Sequence, residues 1–421
     1  MKNIKTEAIA GCTTFLTMAY IVVVNPAILS TQGTGMSFNG VLTATVLLSF
    51  SMCVLMGLYA KLPFAVAPGM GINAFFTFTL ILGKQIPWQT ALGMVFWAGI
   101  LFLLLSVTPI RLKIATAIPI NLRIAAAAGI GIFLTFIGLK NAGLVVADPV
   151  TLVKLGLLDR KSSLSLLGLL LSAWFLTKKS PFAFLVSIFT ITFCALMMGL
   201  VSVPGTFISA PDFESVLFKM DPMAALKLAF LPAIFSIMLT DLFDSISTFM
   251  GVSQASGMLD DSGQPKNLKE GLIVDSFATL LAGVFGTSSG TAYIESAAGI
   301  EVGGRTGLTA IITGLCFLPC LFLSPLFGMV PMYATAPVLI IVGALMFRSV
   351  GNLSLSKLED AIPAFLTIVL IPLTFSITQG ILWGFIFHVC LYFMVGRRKE
   401  IAPMMLGLAA ISLLLLIIEH V

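Results

Sequence analysis

Apolar runs of about 20 residues recur along this chain, for instance at 89–108, 182–203, 306–330 and 377–396, each close to the length that crosses a bilayer as a helix. That feature leaves few folds open. In hydrocarbon every backbone amide and carbonyl must find a partner within the protein, so a crossing segment is a helix or part of a closed barrel. Runs of this length select helices. With 58% hydrophobic and 10% charged residues over 421 positions, the composition is that of a polytopic membrane protein, and no soluble domain of any size fits between the runs.

The opening MKNIK is short and basic, and the apolar run behind it continues through Leu29 with no distinct cleavage site, so it reads as a first span and not a removed signal. Six cysteines (Cys12, Cys53, Cys194, Cys316, Cys320 and Cys390) all fall inside apolar runs and read as small hydrophobes. Neither a disulfide framework nor a metal cluster is suggested. The formal charge of +5 comes from lysines and arginines flanking the runs and does not point to nucleic acid.

Breaks at Gly, Pro and charge clusters give seven spans at 8–29, 39–60, 64–82, 89–108, 121–139, 163–177 and 182–203. Seven more follow at 228–250, 268–286, 289–302, 306–330, 334–348, 359–375 and 377–396. With a cytoplasmic N-terminus, the inside loops receive Lys61, Arg111, Lys113, Arg123, Lys178, Lys179, Lys266, Lys269, Arg305, Arg348, Lys357 and the GRRK at 396–399, as the positive-inside rule expects. Two outside loops depart from it. One carries Lys154, Arg160 and Lys161, the other Lys219 and Lys227, and both are long, with amphipathic stretches. A last apolar run, 402–419, is either a fifteenth span or an interfacial helix.

Seven is odd, so a second set of seven enters the membrane in the opposite sense, which predicts an inverted repeat. Short matches support it: LLS ending at Ser106 recurs as FLS ending at Ser324, ATA at 115–117 recurs at 334–336, and GINA at 71–74 falls opposite YIES at 293–296. The offsets of 218, 219 and 222 residues agree on nearly half the chain.

Spans three and ten, related by that offset, are both abnormal. Pro68, Gly69 and Gly71 interrupt the first, Gly286 and Gly290 the second, predicting in each an extended piece followed by a helix that begins near Asn73 and near Ile294. Such backbone survives in a membrane only when buried in protein or lining a polar cavity. A matched pair of interrupted spans points to a transporter's midplane site, with the extended pieces pairing as a small two-stranded element and two half-helix N-termini offering amide donors to one pocket. The competing reading of span three is a Gly-rich helix-packing face.

Span eight, AFLPAIFSIMLTDLFDSISTFMG, places Asp241, Asp244, Ser245 and Thr248 at i, i+3, i+4 and i+7, hence on one helical face. An ionised Asp at the centre of a membrane helix costs roughly 2.5–3.5 kcal/mol on insertion scales. The competing reading, stronger for Asp244 than for Asp241, is a brace to a neighbouring helix through Ser or Thr. A site holding Asp241 and Glu295 together is expected to hold a proton that a ligand can influence, the minimum for proton-coupled transport. Asp275 in span nine reads as a structural brace or as part of the proton route. His388 sits alone in the last span and reads as packed, and His420 is terminal.

Four stretches, EAIAGCTTFLTMAYIVVVNPAIL, APGMGINAFFTF, LTDLFDSISTFMG and GTAYIESAAGIEVGGRTGLTA, resemble the AzgA-like branch of the nucleobase:cation symporter-2 family, permeases for adenine, guanine and hypoxanthine; the resemblance runs from about residue 5 to 397. It implies an all-α polytopic fold of fourteen spans in a 7+7 inverted repeat, similar to the uracil permease, with short extended pieces in spans three and ten. It also implies a core domain of residues 1–108 and 206–331 that carries the base by moving against a gate domain of residues 109–205 and 332–397, with 398–421 left as a C-terminal segment.

Carried onto this chain, the resemblance makes Asp241, Glu295 and Asn73 substrate-binding, with Phe75, Tyr293, Ile294 and Thr291 around them, and assigns proton coupling to Asp241, Glu295, Asp244 and Asp275. Its xanthine, urate and uracil relatives carry an Asn directly after the span-ten Gln, Glu or Pro, whereas Ser296 follows Glu295 here. That departure favours a 6-amino or 6-oxo purine. A purine suits such a pocket chemically: ring N–H groups for carboxylates, ring N or carbonyl acceptors for amides, and a flat face for Phe75 or Phe76.

The expected partners are therefore a purine base, a proton as coupling ion in place of any cofactor, the lipid bilayer of the cell (inner or plasma) membrane and, as a candidate, a second copy of the chain; nucleic acid and metal are not among them. A xanthine/uracil-type permease and a sulfate-permease-type anion transporter are the alternatives on the same fold, the latter disfavoured because acids in the pocket repel an anion. An enzyme is not expected: an intramembrane aspartyl hydrolase draws its dyad from two facing helices, whereas Asp241 and Asp244 share one turn. A channel is disfavoured because no ring of repeated filter residues is visible.

Overall fold

The computed structural model describes residues 4–108, 117–259 and 265–420. Arg111, Lys113 and most of the 115–117 ATA lie outside them. Helices form where the apolar runs predict them. The first half contains α1 (Ile4–Met18), α2 (Ile21–Leu29), α3 (Phe38–Leu55), β1 (Val66–Ala67), α4 (Met70–Ala74), α5 (Trp88–Val107), α6 (Ile120–Asn141), β2 (Val145–Asp148), β3 (Leu152–Leu155), α7 (Arg160–Thr177) and α8 (Ala183–Met197). The second half contains α9 (Leu231–Ser256), α10 (Leu268–Phe285), β4 (Thr291–Ala292), α11 (Ser296–Glu301), α12 (Gly307–Phe317), α13 (Ser324–Gly328), α14 (Met332–Phe347), α15 (Leu358–Thr374), α16 (Ile377–Met394) and α17 (Pro403–His420).

Among the described residues seven helical stretches, including Ile4–Leu29, Ile120–Asn141 and Leu228–Gln254, are long and apolar enough to cross a membrane. Shorter apolar helices cover Met70–Gly83, Ala183–Met197, Gly307–Phe322 and Pro403–Ile418. Their outer faces remain apolar: Leu170, Leu373 and Met394 are exposed. Water would penalise such a surface and lipid does not, so the helices are those of an integral membrane protein.

Packing divides the helices into two sets. In one, α5 lies along α10, α3 contacts α2, α10 and α12, and α1 lies against α11 and α12. In the other, α6 is flanked by α14 and α15, α15 pairs with α16, and α7 packs on α8 and α14. The long α9 touches both, meeting α5, α10 and α11 on one side and α6 and α16 on the other. Pro232 opens α9, where its missing N–H costs nothing, and Gly257 closes it at φ +67°. The 402–419 run forms α17, which packs on α16 and α9, with Leu415 and Leu416 against Leu382.

Two loops take shapes that the sequence reading left open. The loop carrying Lys154 contains an antiparallel hairpin in which Val145 to Asp148 pair with Leu155 to Leu152, and Arg160 and Lys161 stand on the first turn of α7. The Asp148 carboxylate accepts the amides of Val150 and Thr151 at 2.9 and 3.0 Å, which closes an Asx-type turn at Asp148-Pro149. The loop of Lys219 and Lys227 is irregular except for single turns at Ala224–Leu226 and Leu228–Phe230.

Candidate functional site

The two interrupted spans meet as an antiparallel pair of strands, Val66 opposite Ala292 and Ala67 opposite Thr291. Each strand turns at once into a helix, so the unpaired backbone that lipid forbids is satisfied strand to strand. The helices start elsewhere than expected: α4 begins at Met70 with Gly69 as its cap, and α11 at Ser296 with Glu295 as its cap. Glu295 thus stands at the start of its helix, whereas Asn73 is the fourth residue of α4.

Two glycines admit this geometry. Gly286 ends α10 at φ +97°, a conformation that side chains rarely tolerate. A Cβ on Gly290 would come within 2.7 Å of the Ala278 Cβ, so only glycine lets the extended piece lie against α10. Hydroxyl and amide groups then tie the crossing together. Asn25 donates to Thr45 and Thr287 at 2.7 and 3.0 Å, and the Tyr293 hydroxyl donates to the Pro68 carbonyl at 2.5 Å.

A cavity of about 130 Å³ opens beside the crossing. One water needs ~10–15 Å³ by that measure, so there is room for several waters or a small planar molecule. Its walls come from Gly69 to Ile72 at the start of α4, from Thr291 to Glu295, from Thr240, Phe243, Asp244, Ser247 and Thr248 of α9, and from Tyr20 between α1 and α2. Arg123, Ala126, Ala127 and Ile130 of α6, with Val342 and Met346 of α14, close the opposite side. The cavity therefore lies between the two packing sets.

Glu295 and Asp244 both face this space, and the Tyr20 hydroxyl donates to the Glu295 carboxylate at 2.7 Å. Thr291, Tyr293 and Ile294 join them on the wall as expected. Asp241, Asn73 and Phe75 do not. Asp241 is fully buried and its carboxylate accepts the Thr279 hydroxyl. Asp275, also fully buried, accepts the Ser245 hydroxyl and lies 3.4 Å from that of Thr291. Asn73 accepts the Ser288 hydroxyl and is sealed off, and Phe75 is packed in the apolar core.

The acidic stripe of α9 therefore splits. Asp244 and Thr248 look into the cavity, while Asp241 and Ser245 look the other way, toward α10. Behind the wall, Asp241 and Asp275 each leave one carboxylate oxygen buried without a hydrogen-bond partner. Among the described residues, ion pairs join Lys154 to Asp148 and Arg397 to Glu359 and Glu400, and none reaches these four membrane carboxylates. His388 is buried with its ring against Tyr392, 4.2 Å between centroids, in the packed role expected of it.

The sequence reading had not placed Arg123, Thr240 or Tyr20 in the site. Arg123 was read only as a loop cation, yet it belongs to α6 and lines the cavity with its Nε buried and unpartnered. Thr240, directly before Asp241, likewise presents a buried hydroxyl without a partner. For Tyr20 the signal was its position in an apolar run, where a buried phenol normally finds an acceptor.

Comparison with known proteins bears on this arrangement. The Xan_ur_permease model, described as a permease family, matches residues 5–383. The adenine permease AdeP of Escherichia coli strain K12 is 42% identical over 411 residues, covering 97% of this chain and 92% of that protein. The guanine/hypoxanthine permease PbuO of Bacillus subtilis strain 168 is 40% identical over 425 residues, covering 99% and 98%. Among solved structures, the transmembrane domain of the cyanobacterial bicarbonate transporter BicA superposes with a TM-score of 0.69 at 16% identity, over 91% of this chain and 98% of that one. That last likeness speaks for the fold alone.

Proposed function

The chain belongs to this permease family, and from that premise we propose that it imports purine nucleobases, adenine or guanine and hypoxanthine, by proton symport across the cell (inner or plasma) membrane. It is a transporter and not an enzyme. The observation that carries the reading is the cavity between the two packing sets, walled by Glu295 and Asp244 on one side and by α6 and α14 on the other. A purine presents ring N–H donors to those carboxylates. Its ring nitrogens or carbonyl meet the free first amides of α4, the Thr240 hydroxyl and Arg123. Phe243, Tyr20 and Tyr293, not the buried Phe75, supply the flat apolar surfaces.

We place base and proton in two layers. The base takes the cavity wall, and the proton is shared behind it by Asp241 and Asp275, which are linked through Ser245, Thr279 and Thr291 and form no ion pair among the described residues. The wall and the proton layer communicate through α9 and through Thr291, which belongs to both. Fourteen crossings in a 7+7 inverted repeat, an N-terminus in the cytoplasm and a core that slides against a gate belong to the same proposal. The two packing sets with the cavity between them, and the adenine and guanine/hypoxanthine permeases among the relatives, support it.

Uptake of labelled adenine, guanine and hypoxanthine into cells or vesicles containing the protein tests the proposal. Accumulation that collapses on adding a protonophore is expected; absence of uptake for all three bases, or accumulation indifferent to the protonophore, overturns it. Competition by unlabelled bases across external pH then ranks the purines.

A further inference from the structure

The charge pattern left two loops unexplained, one of them with Lys154, Arg160 and Lys161. The fold gathers two of those residues around a cleft of about 680 Å³ far along the chain from the purine cavity, lined by Lys140, Asn141, Lys154, Lys161, Asp159 and Tyr333 among others. Lys140 and Asn141 end α6, Lys154 and Leu155 lie on β3, Lys161 opens α7, and Tyr333 opens α14. Three ammonium groups thus share one wall with one carboxylate.

The acids there are already committed. Asp159 caps α7 by accepting the Ser162 amide at 2.8 Å, and this bond above all holds its carboxyl below the usual range. Asp148, beside the cleft, pairs with Lys154 at 3.0 Å. The Thr151 amide, then Lys154 and the Val150 amide, hold its carboxyl at about 2. Among the described residues no ion pair within 4 Å is formed by Lys161, whose charge also acts on Asp159, or by Lys140, which lies 5.7 Å from the Phe78 ring. Tyr333 lines the cleft and is 8% exposed, and its hydroxyl is buried without a hydrogen-bond partner. A buried phenol hydroxyl normally has one.

The rim of the cleft is apolar where a loop in water would be polar. Leu155 is 78% exposed, Leu157 92% and Leu158 66%, and Val150 and Leu152 on the hairpin turn are as open. Cations and an unpaired hydroxyl surrounded by bare leucines describe one kind of ligand: an anion attached to hydrocarbon. We propose that this cleft binds the headgroup phosphate of an anionic phospholipid, held by Lys140, Lys161 and the Tyr333 hydroxyl, with acyl chains lying over Leu155, Leu157 and Leu158. A bound anionic lipid accounts for Lys161 standing where the positive-inside rule does not favour it.

Native mass spectrometry of the full chain in detergent tests the assignment, with added phosphatidylglycerol, phosphatidylcholine or inorganic phosphate as probes. The wild type should retain phosphatidylglycerol at least about tenfold more than phosphatidylcholine, and the Lys140→Gln/Lys161→Gln double variant should lose that preference. Tyr333→Phe, which keeps the packing, should lower retention about threefold to fivefold, guarding against a double variant that fails to fold. Equal retention of the two lipids, unchanged retention in both variants, or displacement by millimolar inorganic phosphate each overturn the proposal. Base uptake is not the readout, so failure here leaves the transport reading standing, and the reverse holds as well.

Discussion

Asp241 and Asp244 stand three residues apart on one helix and live in different places. Asp244 lines the cavity with Glu295; Asp241 lies behind the wall with Asp275 and a set of hydroxyls. At 100° per residue the two α-carbons are about 60° apart around the helix, and the boundary between cavity and protein interior runs through that gap. A single stripe thus supplies two carboxylates in different surroundings, one on the cavity wall and one fully buried behind it. Spacing alone predicts a shared face, and packing decides what each part of the face meets.

The largest effect that can break this contrast is in the wall. Asp244→Asn and Glu295→Gln should each lower base uptake about 100-fold or more, the loss of ~3 kcal/mol of charge-assisted hydrogen bonding, with the protein still present in the membrane. Asp241→Asn and Asp275→Asn should also abolish accumulation, yet leave base affinity of the purified protein within about threefold. If Asp241→Asn weakens binding as much as Glu295→Gln does, the two layers are one.

A smaller effect separates building from binding. Gly290→Ala forces a methyl onto Ala278 and should cost about 1–3 kcal/mol of stability through overpacking, read as a fall of the melting temperature in detergent. Tyr20→Phe removes the donor to Glu295 and should weaken base affinity by about fivefold to tenfold, near 1–1.5 kcal/mol, with the melting temperature almost unchanged. The smallest effect is at Phe75. Being buried away from the cavity, it should accept Leu with less than a twofold change in affinity, and a large loss would return it to the site.

Much of the architecture was legible in the residues. Pro68-Gly69 and Gly286 with Gly290 mark the two interruptions, and their pairing as strands follows from the rule that open backbone cannot face lipid. Glu295 was legible as a carboxylate at the second interruption. The inward side of Asp244 was not, because periodicity fixes an angle between residues and leaves unsaid which neighbour occupies each angle. Asn73 misled for a related reason. It is the fourth residue of α4 and its side chain meets Ser288 behind the cavity wall, which a count along the chain does not reveal. The β2–β3 hairpin hid behind its apolar composition, although Asp148-Pro149 is a turn signal in its own right.

The pairing of Val66–Ala67 with Thr291–Ala292 also fixes when the site can exist. Strands separated by more than 220 residues cannot meet until the second has been made, and at ~5–20 residues per second that delay is roughly ten to forty-five seconds. During it the first interruption has no partner strand and its exposed amides have no acceptor. Something else must shield that segment meanwhile, be it water in an insertion channel, a chaperone or the neighbouring helices α2 and α3. The cavity cannot close before the second half of the chain is made, and a ribosome that stalls between the halves leaves a membrane-inserted chain with an open seam.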